Sequence, residues 1–251
     1  MEKQAMERQS GTAAADEVER FAALAEAWWD EEGGFAPLHR INPLRTAFIR
    51  EQLLAHFGLD ASNNTPLAGL SLLDIGCGGG ILSEPMARLG ARVTGIDAAE
   101  RNIAIASAHA GELGLEIEYA CQLPEELADQ GKNFDVVLNM EVMEHVADLD
   151  AFVQASAGLV APGGATVIAT LNRSLKSLAL AKIGAEYVLR WLPRGTHDWR
   201  KFVKPEELKT HLGRAGFKIG QLKGMTYNPF STEWRLSEDT EVNYLVFAIR
   251  G

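Results

Sequence analysis

The stretch Leu72–Gly80, LLDIGCGGG, constrains the fold more than any other part of the chain. An apolar run of strand type meets glycines at 76, 78, 79 and 80 and then a helical pattern. Glycine at such a corner admits positive φ and lets a ligand approach the backbone. The rest of the chain keeps the same rhythm. Apolar runs at Leu70–Ile75, Ala91–Ile96, Glu116–Ala120, Phe134–Met140 and Ala165–Leu171 alternate with helical stretches at Ile81–Leu89, Glu100–Leu113 and Leu149–Leu159. Strands alternating with helices pair in parallel through right-handed crossovers. After them, Pro205–Ala215 reads as a helix with proline in its first turn. Phe217–Lys223 and Val242–Ile249 read as two strands with no helix between them, so they pair antiparallel at one edge. Ahead of the first strand, Asp16–Asp30 carries an apolar helical face at Val18, Phe21, Leu24 and Trp28, ended by Gly33-Gly34. The predicted class is α/β: a doubly wound, seven-stranded, mostly parallel sheet with an antiparallel last strand. An N-terminal helical cap is expected over 14–58 and a helical insertion after strand five, the whole of 1–251 forming one domain.

Composition narrows the functional classes. With 251 residues, 47% hydrophobic and 23% charged, the chain can bury a sizeable core. Two cysteines, Cys77 and Cys121, cannot staple it, which favours reduced thiols and a cytoplasmic location. No apolar run approaches the ~20 residues of a membrane span, and the N-terminal MEKQAMERQSG has no signal or transit character. A net charge of −10 makes nucleic acid a poor partner.

The glycine spacing is not that of a dinucleotide site, because Ile81 stands where G-x-G-x-x-G needs its third glycine. It is GxGxG, from Gly76, Gly78 and Gly80. The loop lies at the carboxyl end of a strand, where doubly wound sheets bind ligands. Asp97 closes the second strand 21 residues after Gly76, placed to accept hydrogen bonds from two ribose hydroxyls or to cap the next helix. A second cluster follows strand four. If a helix begins at Glu141, then Glu141, Glu144 and His145 share one face. Two carboxylates and an imidazole there could hold a metal or shape a pocket. Mg²⁺ favours oxygen ligands and keeps waters, whereas imidazole suits Zn²⁺, Mn²⁺ or Fe²⁺ better.

LLDIGCGGG, the strand-end Asp97 and the LVAPGG turn (Leu159–Gly164) resemble the class I S-adenosylmethionine-dependent methyltransferases, a Rossmann-like fold, over Leu70 to Ile249. A closer resemblance covers nearly the full length. Trp28–Arg45 (WWDEEGGFAPLHRINPLR), Glu141–Val146 (EVMEHV), LNRS with the following segment, Gly195–Leu208 (GTHDWRKFVKPEEL) and Thr226–Pro229 (TYNP) are together similar to the ubiquinone-biosynthesis O-methyltransferases. The resemblance implies S-adenosyl-L-methionine as methyl donor. Gly76 and its neighbours Asp74 and Gly78 would face its methionine part, Asp97 its ribose, Met140 its adenosyl group, and Gln122 its adenine side. The Arg matching Arg45 would help hold it, a cation facing the donor's carboxylate. It also implies catalytic and metal-binding roles for Glu141, Glu144 and His145, with Mg²⁺ as the divalent cation. The implied substrates are polyprenylated phenols and catechols, 2-polyprenyl-6-hydroxyphenol and 3-demethylubiquinol, with other ubiquinone-biosynthesis enzymes as partners. A methyltransferase for another small phenol or quinone, or a non-catalytic quinone-binding module, remain the alternatives. Trp28, Trp29 and Phe35 could wall a pocket for the prenyl tail or simply pack in the core. His39, His56, His109 and His211 read as surface or capping residues, and His197 as a weak candidate for substrate contact.

A prenylated substrate partitions into lipid, and the sequence offers a docking device. Between 173 and 204 lie eight basic residues opposed only by Glu186 and Asp198, a charge of +6, against −16 in the remainder. Leu178, Ala181, Ala185, Val188 and Leu192 form an apolar helical stripe, with Tyr187 and Trp191 alongside. This predicts peripheral association with an anionic membrane surface, or a lid over the active site.

Overall fold

The computed structural model describes residues 11–179, 198–228 and 233–251. Its sheet has eight strands: β1 Ser71–Ile75, β2 Arg92–Asp97, β3 Ile117–Cys121, β4 Phe134–Met140, β5 Val160–Leu171, β6 Phe217–Asn228, β7 Glu233–Ser237 and β8 Asn243–Arg250, in the order β3-β2-β1-β4-β5-β8-β6-β7. The first five are parallel. β8 inserts antiparallel between β5 and β6. The expected count of seven is corrected to eight. β7, a polar edge strand antiparallel to β6, has too much charge to read as a strand from its pattern. β6 also runs five residues past its predicted end, because β7 pairs with it over Gly224–Asn228, mostly beyond the stretch that β8 holds.

Helices cover both faces. On one, α1 Ala15–Ala23, α2 Ala36–Phe57, α3 Ser83–Arg88 and α4 Glu100–Glu112 precede or alternate with the early strands; on the other lie α5 Pro124–Asp129, α6 Leu149–Gly158 and α7 Pro205–Arg214. The alternating strand residues sort into two cores. Leu73, Ile75, Val137 and Ile168 pack with Phe152, Val153 and Leu208; Leu72, Val136, Leu138 and Val167 pack with Phe48, Ile49, Leu53 and Met86. This two-sided burial is why β1 and β4 read as continuous apolar runs. The long α2 tolerates Pro43 inside it and stops at Gly58 in the left-handed region (φ 64°). The helix expected over Asp16–Asp30 is shorter: α1 ends at Ala23, and a separate turn of 3₁₀ helix, Ala25–Ala27, carries the chain toward the glycine loop.

Most of the apolar stripe of the basic insertion, together with His197, lies outside the described residues. What is described changes its electrostatics. Arg173 pairs with Glu207, Lys176 with Asp239 and Glu241, and Arg200 with Asp198. Three of the eight cations therefore face acids, mostly ones distant in sequence, so the field outside the protein is weaker than the linear count suggests. Leu175 is 81% exposed beside Lys176. Among the described residues no helix is long and apolar enough to cross a membrane.

Candidate active site

The glycine loop leaves β1 as expected, with Gly76, Gly78 and Gly80 all at positive φ (68°, 54° and 88°). The amides of Gly76 and Cys77 bond the Ile96 carbonyl, fastening the loop to the end of β2. Asp97 lies beside it. Its Oδ2 accepts from Gly78 N–H at 3.0 Å, and its Oδ1 from Ala99 N–H at 2.8 Å and Asn102 Nδ2 at 3.1 Å. Burial raises the Asp97 pKa above the usual carboxylate range, against those three hydrogen bonds. Three acceptor sites are used, and a carboxylate has about four, so capacity remains for a hydroxyl. Both readings of Asp97 therefore coexist: it organises the start of α4 and keeps acceptor capacity at the sheet edge.

Asp74, also at this edge, is buried and accepts from Ser83 Oγ at 2.6 Å. Burial lifts its pKa to about 7, the Ser83 bond opposing and Asp97 adding. Asp74 is thus tied to α3 beneath the loop. Cys77 is buried in the loop, its thiol pushed up by burial, as suits a space-filler rather than a nucleophile. Gln122 holds the Asp97 carbonyl through its own N–H at 3.1 Å, and Met140 packs at the end of β4 against the second core.

The acidic cluster corrects the sequence reading most. No α-helix begins at Glu141. Glu141 sits in the left-handed region (φ 56°), and Met143–His145 forms a single 3₁₀ turn. The three side chains therefore do not line one helical face. Glu141 accepts a hydrogen bond from Arg45 Nη2, whose guanidinium is buried on α2 with Nε left without a partner. Glu144 is 3% exposed; one oxygen accepts from Thr170 Oγ1 at 2.8 Å and the other, Oε1, has no partner. Burial and the neighbouring Glu141 carboxylate drive its pKa well up. His145 faces away, to Glu17 on α1 at 3.2 Å, and that contact holds Glu17 below the usual range. Among the described residues no group of three acidic, histidine or cysteine side chains is arranged to hold a metal ion. The two glutamates are a different matter. Glu141 is half-buried and already paired with Arg45, while Glu144 is buried with one oxygen free, so the oxygens of this pair could serve a divalent cation even though the triad with His145 does not.

Three participants escaped the sequence reading. Asn139, 1% exposed on β4, has neither amide oxygen nor amide nitrogen partnered. A lone polar residue within FDVVLNM was its signal. Thr170 and Glu17 had none, because only the fold brings them to Glu144 and His145. Trp28 and Phe35 stack at 4.0 Å in a buried cluster with Ile81, against the glycine loop, so they are packing residues and not the wall of a prenyl pocket. His109 is no bare surface residue either: Trp29 stacks on it at 3.5 Å, and its Nδ1 lies 2.6 Å from the buried Glu84.

Comparison with known proteins agrees with this architecture. A family model described as a methyltransferase domain matches residues 7–222. The chain is 56% identical to the ubiquinone biosynthesis O-methyltransferase of Parvibaculum lavamentivorans over 94% of this chain and 93% of that one. It is 54% identical to the protein of the same name from Mesorhizobium japonicum, over 98% of both. Among solved structures it resembles the magnesium protoporphyrin IX methyltransferase of Synechocystis PCC 6803 with bound SAH (TM-score 0.57, 24% identity, 83% and 82% of the two chains). It also resembles an S-adenosylmethionine-dependent methyltransferase of Clostridium acetobutylicum (TM-score 0.58, 14% identity, 82% and 90%); at these identities the likeness is one of fold. With a doubly wound sheet, a GxGxG loop at its carboxyl edge and full-length relatives above half identity, the chain belongs to the ubiquinone biosynthesis O-methyltransferase family.

Proposed function

We propose that this protein transfers a methyl group from S-adenosylmethionine to a phenolic hydroxyl of a polyprenylated catechol-type intermediate of ubiquinone biosynthesis. The carrying observation is the carboxylate pair of half-buried Glu141 and buried Glu144, set on the turn after β4 at the same sheet edge as the glycine loop and Asp97. When bound, S-adenosylmethionine supplies a methyl group already activated by its positive sulfur, and it leaves as a neutral thioether. The protein then has two tasks, alignment and removal of the phenol proton. Gly76 and Gly78 give the loop its positive-φ turn facing the donor, Asp97 holds its ribose, Asp74 supports the loop, and Gln122 and Met140 border the adenosyl end. Arg45, with Nε unsatisfied, is the cation for the donor's carboxylate.

The acceptor side is acidic. Glu144 would take the phenol proton on Oε1, the oxygen that its bond with Thr170 leaves free, with Glu141 as its neighbour. In the transfer the phenol would give its proton to the Glu144 carboxylate and its oxygen would take the methyl group, the donor leaving as the neutral thioether. A divalent cation such as Mg²⁺, held by Glu141 and Glu144, would supply orientation of a catechol and easier loss of its proton. His145, paired with Glu17, orients this turn rather than completing a metal site. The test is methyl transfer to a short-chain prenyl catechol and to a soluble catechol, with and without chelator. Preference for the prenyl substrate and loss of turnover on chelation are expected. Activity indifferent to the prenyl group would overturn the substrate assignment, and activity surviving chelation would leave the glutamates as base alone.

The substrate's tail places the reaction at a lipid surface, and we propose peripheral docking through the segment around 173–204. The exposed Leu175 beside Lys176 supports it. Salt-sensitive co-sedimentation with anionic vesicles is expected, and equal recovery with neutral vesicles would remove the electrostatic part.

A further inference from the structure

We infer that Trp28 and Asn102 are positioning residues for the methyl donor, linked in a relay that fixes the carboxylate of Asp97. The inference rests on the reading of Asp97 as the ribose-binding acid. Trp28 Nε1 donates to Asn102 Oδ1 at 2.9 Å, and Asn102 Nδ2 donates to Asp97 Oδ1 at 3.1 Å. An indole N–H only donates and a carboxylate only accepts. The Asn102 amide between them can therefore stand only one way round. Asn102 is 1% exposed and Trp28 8%, so no water competes for these bonds.

The relay is held from both ends. Asn102 sits on α4, whose start Asp97 itself organises through Ala99 N–H. Trp28 is clamped by its stack on Phe35, and its ring lies so close to Gly78 and Gly79 that a Cβ at either would meet it at 2.5 Å. The next residue takes a second grip on the same loop: Trp29 Nε1 donates to the Gly79 carbonyl at 3.0 Å. The tryptophan pair thus does for the donor loop what a supporting shell does for a metal ligand, locking the rotamer of the group that makes contact. Asp97, partly exposed at the pocket, reaches the ribose in one orientation because the amide behind it has only one.

The experiment is calorimetric titration of S-adenosylhomocysteine into the full chain, comparing wild type, Trp28→Phe, Asn102→Ala and the double variant, with a thermal melt of each. Trp28→Phe keeps an aromatic ring to stack on Phe35 but removes the donor together with part of the indole that lies on Gly78, and the thermal melt reads that packing loss separately. A Kd raised about fivefold is expected for it, and about tenfold or more for Asn102→Ala, the scale of one lost buried hydrogen bond and of two. In a relay the double variant binds no more weakly than Asn102→Ala alone. KM for the donor should rise with these variants while KM for the phenol stays, which a merely structural role would not produce. Wild-type affinity in a folded Trp28→Phe, or full additivity in the double variant, would overturn the relay. If Asn102→Ala does not fold, Trp28→Phe decides alone: a lowered Tm with unchanged Kd would mean packing only. Failure of wild type to bind S-adenosylhomocysteine would instead bring down the reading of Asp97 and the donor site.

Discussion

The two halves of the site are built in opposite ways. On the donor side, the residue types are set locally, glycines at positive φ after a strand end and Asp97 at the start of α4, and Trp28 and Trp29 then grip the loop from the N-terminal region. On the acceptor side, Glu141, Glu144 and His145 are neighbours in sequence whose partners are not. Arg45 comes from α2, Thr170 from β5 and Glu17 from α1. The donor loop has its own turn chemistry before any distant residue supports it, whereas the acidic turn takes its geometry from partners brought in across the fold. The halves meet at Gly76, where an added Cβ would come within 2.5 Å of Val142 Cγ2, and at the Arg45–Glu141 ion pair.

The sharpest break of this contrast is chemical. Glu144→Gln removes the proton acceptor while keeping the shape and the Thr170 contact. Turnover should fall about 10²- to 10⁴-fold, the range of general acid–base catalysis, with donor affinity within about threefold of wild type, a difference below ~0.7 kcal/mol. Steady-state kinetics against the short-chain prenyl catechol measures it.

Asp74 gives the next largest effect, on stability. Its folded pKa of about 7 lies above the ordinary aspartate value of about 3.9, so the folded state holds the extra proton between those values. The contribution is fully present below about pH 4 and is lost as pH rises to about 7, on the order of 4 kcal/mol for a shift of that size. Denaturant melts should therefore show stability declining across that window and level above it, and Asp74→Asn should flatten the profile.

Gly76→Ala joins the two halves. It adds a clash with Val142 to a left-handed backbone that costs an L-residue roughly 1–2 kcal/mol. A loss of about 2–3 kcal/mol is expected, and Val142→Ala in the same chain should return the steric part but not the backbone part. Thermal melts of the three variants separate the terms. The smallest effect belongs to the surface: Lys176→Ala breaks pairs with Asp239 and Glu241 that are well exposed, and should cost under about 1 kcal/mol.

The same contrast explains what could be read from the sequence. The strand–glycine–helix opening, Asp97 and the apolar runs of β1 and β4 carry their own signal, because period and turn chemistry are local. Glu141 does not: a non-glycine residue in the left-handed region breaks the helical expectation, and the turn is held there by partners distant in sequence, the Arg45 ion pair, the Ala169 carbonyl that takes Glu141 N–H at 2.8 Å, and Thr170 on Glu144. α2 is hard to delimit with Pro43 inside it, and the charged β7 has no strand pattern to show. The apparent isolation of Arg173 and Lys176 as free cations likewise dissolves once Glu207, Asp239 and Glu241 fold against them.

The central claim is that donor binding and acceptor activation reside in separable parts of one edge. Titrating S-adenosylhomocysteine into Asp97→Ala and Glu144→Gln side by side tests it most directly. The account predicts that Asp97→Ala loses about 1–3 kcal/mol of affinity, the scale of charge-assisted hydrogen bonds, while Glu144→Gln binds as wild type. Equal losses in both, or an Asp97→Ala variant with undiminished affinity, would contradict it.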